Sequence, residues 1–257
     1  MRYKLEISYD GSNYFGFQVQ PNKDTIQLRL EHAFDVVYRE HIDIVASGRT
    51  DAGVSAICQV CHFDTFKAVD SRKDIGYLNS LLPKDIRVLN ISETSEDFHA
   101  RKGAKQKTYM YYFYVGKEIP IYERFATNIG YGLDIDAMRE ACKYIKGEHD
   151  FTSFCASNTA IKDKTRTIYD IDIVPMEENL YKMEITGNGF LYNMVRIIMG
   201  TLVSVGLKKI KASEVAKIIE SKDRSKAGKT MPAKGLYLKK VVYSNNWLKQ
   251  IIMVSYI

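Results

Sequence analysis

Two strand-like stretches, the alternating Tyr3-Lys4-Leu5-Glu6-Ile7-Ser8-Tyr9 and the tyrosine-rich run at 106–115, each open a similar succession of elements. In both, the pattern reads strand, helix, strand or strands, helix, strand. Strands and helices mixed in this way, without strict β-α-β alternation, predict an α+β sandwich. No sequence repeat accompanies the shared order. At 257 residues the chain is long enough for one large domain or two small ones sharing a core.

In the first half, the opening strand stops at Asp10-Gly11-Ser12-Asn13. A helix is expected to start at Asp24, which makes a capping-box pattern with Gln27 and is followed by the apolar stripe Ile26, Leu30, Ala33, Phe34 and Val37. A strand at 57–64, a helix at 71–82 ended by Pro83, and a strand at 86–92 follow. The second half opens with the strand that contains Tyr109, Tyr111, Tyr112 and Tyr114. Next come a helix at 134–146, a hairpin at 167–186, helices near 190–206 and 212–221, and strands at 235–243 and 247–254.

The break between the halves falls near 98–105, where the charge balance also changes sign. Residues 1–100 hold 11 Lys+Arg against 15 Asp+Glu, net −4. Residues 101–257 hold 26 against 16, net +10. The chain therefore divides into an acidic half, 1–100, and a basic half, 101–257. A basic lobe either meets a polyanion, such as nucleic acid or a membrane surface, or carries solvated lysine on its helix faces.

Several classes are excluded or unsupported. No stretch approaches eighteen uninterrupted apolar residues, and the start lacks the apolar region of a signal peptide. The four cysteines, at 58, 61, 142 and 155, are accordingly expected as reduced thiols in the cytoplasm. Cys58-Gln59-Val60-Cys61-His62 has the spacing of a c-type haem attachment site. It lies within a run that reads as a strand, where residues three apart face opposite sides of the sheet. A P-loop, a dinucleotide fingerprint and H-E-x-x-H are all missing, so nucleotide, nicotinamide and metal chemistry have no support.

Three stretches carry candidate chemistry. In Ser47-Gly48-Arg49-Thr50-Asp51-Ala52-Gly53-Val54, two glycines flank an Arg-Thr-Asp triplet directly before a strand. Glycine permits positive φ and close approach of another backbone, so Asp51 is either held towards a ligand or bonds local amides in a turn. In Gly187-Asn188-Gly189-Phe190-Leu191-Tyr192-Asn193-Met194-Val195-Arg196, a turn leads into an apolar helix with one arginine. Arg196 there needs an anionic partner or must reach water with its head. In Asp97-Phe98-His99-Ala100-Arg101-Lys102, followed by Lys105 and Lys107, basic residues precede the tyrosine strand. That combination suits nucleic acid, where phosphates are neutralised and bases stack, although alternating tyrosines also serve packing. His149-Asp150 reads as the end of the preceding helix, capped at Gly147, and the start of a loop.

Taken together, the chain closely resembles the tRNA pseudouridine synthase A family. The matching blocks are Tyr9-Asp10-Gly11-Ser12-Asn13-Tyr14-Phe15-Gly16-Phe17-Gln18-Val19-Gln20, Gly48-Arg49-Thr50-Asp51-Ala52-Gly53-Val54, Phe98-His99-Ala100-Arg101, Lys107-Thr108-Tyr109, Gly147-Glu148-His149-Asp150-Phe151, Gly189 to Arg196, and Gly235-Leu236-Tyr237-Leu238. They run in order from residue 9 to residue 238.

The resemblance implies the pseudouridine synthase catalytic fold: α+β, with a long mixed, mostly antiparallel sheet built from two similar halves and flanked by helices. It implies a homodimer, without cofactor or metal, whose basic clefts hold tRNA. The implied reaction is isomerisation of uridine to pseudouridine in the anticodon stem-loop, at positions 38, 39 and 40. By resemblance Asp51 is the catalytic carboxylate and Arg196 the arginine that pairs with it. Tyr109 stacks on the uracil, Leu236 or Leu238 floors the site, and Arg49 fills the space left by the flipped uridine. Arg101, Lys102, Lys105 and Lys107 would grip phosphates.

The sequence departs from the family pattern at Ser55, where histidine is common, at Phe17, where tryptophan is common, and at Met231, where alanine is usual. Ser55 beside the Asp51 loop leaves open a paralogue that modifies a different RNA. An RNA-binding protein of the same fold is the alternative outside catalysis. A retaining glycosidase would need a second carboxylate about 5 Å from the first, for which the sequence offers no candidate.

Overall fold

The computed structural model describes residues 1–157, 159 and 161–243. In chain order the elements are β1 (Arg2–Tyr9), α1 (Ile26–Tyr38), β2 (Val45–Ala46), β3 (Ser55–Asp64), α2 (Ser71–Leu81) and β4 (Ile86–Thr94). There follow β5 (Gln106–Tyr114), α3 (Pro120–Glu123), β6 (Thr127–Asn128), α4 (Ile135–Ile145), β7 (Gly147–Asp150), β8 (Thr165–Glu177) and β9 (Leu180–Gly187). The last are α5 (Met194–Gly206), α6 (Glu214–Ser221) and β10 (Leu236–Val242). The strand expected at 247–254 lies outside the described residues.

One ten-stranded mixed sheet runs through the molecule in the order β4-β1-β3-β10-β5-β9-β8-β7, with β2 beside β3 and β6 beside β5. Most pairs are antiparallel, and β3/β10 and β5/β6 are parallel. The fold is thus α+β, as the pattern of elements predicts, with the long, mostly antiparallel sheet that the family resemblance implies. Because β10 comes from the end of the described chain yet lies between β3 and β5, it is the seam of the sheet.

Alternation explains the strands. β1 buries Tyr3, Leu5, Ile7 and Tyr9 and turns Arg2, Lys4, Glu6 and Ser8 towards the other face. The helices pack on apolar stripes in two groups, giving two cores. Ile26, Leu30 and Phe34 of α1 and Leu78 of α2 meet Leu5, Ile7 and Phe63 in one. In the other, α4 and α5 meet Tyr111, Phe113, Met183 and Ile185. α5 is buried almost all round, with Met194, Val195, Ile197, Ile198, Met199 and Leu202 inside.

Two local expectations are corrected. α1 begins one residue later than the capping box predicts: Thr25 is the N-cap, and its hydroxyl accepts from Leu28 N. Asp24 instead pairs with Arg29 at 2.7 Å, and the Gln27 amide donates to Glu31 and to the Ile44 carbonyl. The segment from Gly147 is a strand, not a loop: β7 pairs antiparallel with β8, placing Glu148 opposite Thr167 and His149 opposite Arg166. Lys146, not Gly147, caps α4. Asp150 accepts from the Thr152 amide and hydroxyl and pairs with Lys222 at 2.9 Å, so its charge is used in the fold.

Cys58 is half-buried, Cys61, Cys142 and Cys155 are buried, and all four are free. The Cys58–His62 stretch lies within β3. Among the described residues, no helix is long and apolar enough to cross a membrane.

Candidate active site

The helix groups leave a cleft of about 870 Å³ along the seam of the sheet. Its wall from the first half is the loop 47–54 between β2 and β3, with Gly48, Arg49, Thr50, Asp51 and Val54. Opposite stand Lys107 and Tyr109 of β5, Leu236 of β10 and the turn 188–195 that leads into α5.

The loop is held at both ends and in its middle. Ser47 N donates to the Val60 carbonyl at 2.7 Å, and the Ser47 hydroxyl donates to Gln59 at 2.5 Å. Gln59 in turn donates to the Gly48 carbonyl at 2.9 Å. The Thr50 carbonyl accepts from Phe17 N at 3.0 Å, and the Thr50 hydroxyl bonds the Tyr9 phenol at 2.8 Å. A turn closes with Val54 N on the Asp51 carbonyl at 3.1 Å. The two glycines serve different needs. Gly53 has φ +77°, in the left-handed region. Gly48 is a seat: a Cβ there would lie 2.8 Å from the Lys107 ammonium.

Asp51 keeps 31% of its side chain exposed, and its carboxylate lies 3.7 Å from Arg196 Nη1. Burial pushes the Asp51 carboxyl above the ordinary carboxylate range, while the Arg196 charge pulls it back. Arg196 sits in the first turn of α5, 17% exposed. Its Nε donates to the Met231 carbonyl at 2.6 Å and its Nη1 to Asn193 Oδ1 at 2.8 Å. These two bonds fix the plane of the guanidinium, and Asp51 supplies the anion that its apolar surroundings require.

Tyr109 packs against both cores, and its ring meets Phe190 edge-on, centroids 5.2 Å apart. Burial and the Asp51 charge raise its phenol far above the usual range, so the hydroxyl stays protonated at neutral pH. The Lys107 ammonium donates to the Ser47 carbonyl at 2.7 Å. Burial and the Arg101 charge bring Lys107 down to about 8.

The remaining sequence candidates are spread more widely. Arg49 is exposed at the mouth of the cleft, and its Nε donates to Gln18 Oε1 at 3.2 Å. Arg101 lines the cleft, on a turn whose amides at Arg101 and Lys102 donate to the His99 ring. Lys102 and Lys105 are exposed and do not line it. Of the two leucines, Leu236 lines the cleft, whereas Leu238 is buried in the core of the first half. Ser55 is turned away: it accepts from Gly11 N at 3.0 Å and lies beside a separate hollow of about 460 Å³.

Phe190, Tyr192 and Arg166 also line the cleft, and the sequence pattern assigns them no individual role. The Gly187-Asn188-Gly189 turn that swings Phe190 over Tyr109 is the one signal that could have found it. Among the described residues, no cluster of His, Cys, Asp and Glu is arranged to hold a metal ion.

A family model described as tRNA pseudouridine synthase matches residues 7–101 and 141–244. The tRNA pseudouridine synthase A of Bacillus subtilis (strain 168) is 48% identical over 248 residues, spanning 95% of this chain and 100% of its own length. That of Caldicellulosiruptor saccharolyticus is 47% identical over 240 residues, 93% of this chain and 98% of its own. Among solved structures, a Cbf5-Nop10-Gar1 complex aligns with 92% of this chain and 58% of that chain, at 12% identity and a TM-score of 0.36.

Proposed function

The chain belongs to the tRNA pseudouridine synthase family, and from that premise we propose that Asp51 drives isomerisation of uridine in the anticodon stem-loop of tRNA, at positions 38, 39 and 40. The enzyme is an isomerase that converts uridine to pseudouridine in tRNA. The observation that supports Asp51 in that role is its meeting with Arg196, Tyr109 and Leu236 in one cleft, and the tRNA positions rest on the family resemblance.

The reaction breaks the N1–C1′ bond, turns the uracil in place and joins C5 to C1′. C5 loses a proton and N1 gains one, so nothing is added overall. Asp51 serves the sugar, as a nucleophile at C1′ or as a base that helps expel the uracil, and both roles need it ionised. Arg196 keeps it so against the cost of burial. The Tyr109 ring offers a face for the uracil. With its phenol protonated, Tyr109 can take up the C5 proton only while passing its own to an acceptor such as Asp51. Leu236 and Phe190 keep water from the cleaved state. Arg49 at the mouth is placed to replace the flipped base in the stack, which offsets part of a flipping cost of a few kcal/mol.

The working form is a homodimer in the cytoplasm. Exposed Ile57 and Ile121 beside the 460 Å³ hollow are apolar surface that a second copy would cover. The four free thiols suit a reducing compartment. Sedimentation tests the dimer, and a monomer at micromolar concentration would refute it.

Pseudouridine mapping of total RNA, with and without this protein, tests the target. Signals at tRNA positions 38, 39 and 40 should depend on the protein. Signals confined to another RNA, or none, would overturn the assignment.

A further inference from the structure

Lys107 stands apart from the exposed lysines that precede it. Its ammonium reaches across the cleft to the Ser47 carbonyl, at 2.7 Å, four residues before Asp51. It lies two residues before Tyr109 on β5, so the two side chains leave the same face of that strand. Gly48 makes room for it, since a Cβ at that position would stand 2.8 Å from the ammonium. On the other side of the same loop segment, Gln59 bonds the Ser47 hydroxyl and the Gly48 carbonyl.

We propose that Lys107 is a positioning residue that ties the strand bearing Tyr109 to the loop bearing Asp51, and that it fixes the spacing between ring and carboxylate. The proposal rests on the catalytic reading of Asp51 and Tyr109 above. It also gives Gly48 a reason within the Gly-Arg-Thr-Asp loop: glycine there seats the ammonium. The uracil must leave the sugar, turn and rejoin it while held beside Tyr109. Displacement of the carboxylate by about 1 Å during that turn is enough to cost ~100-fold in rate. A phosphate ligand would behave differently, because its loss weakens binding and lowers the salt dependence.

The test pairs single-turnover conversion of an anticodon-arm RNA with equilibrium binding of the same RNA. Lys107→Met should lower the rate at saturating enzyme by ~10-fold to ~100-fold, with Kd changed less than about twofold and the salt slope unchanged. Gly48→Ala, which pushes the ammonium off its seat, should give the same pattern. A saturating rate kept intact with weaker binding and a salt slope smaller by about 1 would make Lys107 a phosphate ligand and overturn the proposal. Rate and Kd both unchanged would overturn it too.

A measurement on the unaltered protein covers the case in which these variants do not fold. The hydrogen-bond coupling between Lys107 ¹⁵Nζ and the Ser47 ¹³C carbonyl should persist as RNA is added, and its replacement by a coupling to ³¹P would place a phosphate on the ammonium and overturn the proposal. If the wild-type chain makes no pseudouridine, or Asp51→Ala retains turnover, the catalytic reading fails. If both of those behave as expected and Lys107→Met converts normally, only the positioning role fails.

Discussion

Asp51 sits on a loop between the two-residue strand β2 and β3, whereas Tyr109 projects from the nine-residue β5 and Arg196 from the thirteen-residue α5. The first wall is held by hydrogen bonds to Val60, Gln59, Phe17, Tyr9 and Lys107. The second is held by burial, with α5 apolar on nearly every side. Each loop bond contributes about 1 kcal/mol, so losing one shifts the loop without melting the protein. A large truncation within α5 would cost about 2–5 kcal/mol, a sizeable part of the stability of the whole fold. A wall held by single hydrogen bonds faces one held by burial, and substitutions on the two sides should therefore fail in different ways.

The largest expected effect is on the loop side. Asp51→Ala should lower conversion by ~10³-fold or more while RNA still binds. Full turnover in that variant would end the mechanism. Asp51→Asn adds a stability readout. Because burial raises the folded-state pKa of this carboxyl, the cost of ionising it in the fold builds up as the pH rises from the unfolded value to the raised folded one, stays constant above that, and vanishes below the unfolded value. Thermal melts should therefore show Asp51→Asn as more stable than wild type at neutral pH, with the gain disappearing under acid conditions.

On the platform side the expected loss is smaller and has a pH signature. Arg196 lowers the Asp51 pKa, so removing its charge leaves burial unopposed. In Arg196→Met the acid limb of the single-turnover rate should move to higher pH, because a higher pH is then needed to ionise Asp51. A rate lowered equally at every pH would assign Arg196 to holding Met231 and Asn193 in place instead.

The same contrast explains what could be read in advance. A strand with strict alternation, such as β1, and a tyrosine-rich run, such as β5, are written in local pattern. The need of Arg196 for a partner follows from its apolar neighbours, and the structure places Asp51 there. Thr25 and Asp24 are both good capping residues, and only the backbone decides between them. β7 is four residues long and exists through its pairing with β8, which no local window contains. Leu236 and Leu238 share one face of β10, yet they fall in different surroundings because that strand is the seam between two cores. The Lys107 bond spans sixty residues, so no local window shows it, and the sequence reading groups Lys107 with the exposed Lys102 and Lys105 as a phosphate grip.

The smallest effect concerns those exposed lysines, and it decides what the +10 of residues 101–257 means. Lys102 and Lys105 lie outside the cleft, in solvent, close in sequence to the cleft residue Arg101. If they track the RNA backbone, each phosphate contact removed by Lys102→Met or Lys105→Met should lower the slope of log K against log salt by about 1. The loss of affinity should be greatest at low salt, where released counterions contribute most. An unchanged slope in the double variant would make this part of the basic surface ordinary solvated lysine. Binding would then rest on groups inside the cleft, such as Arg101 and Arg166, and the platform would hold both the ring and the grip.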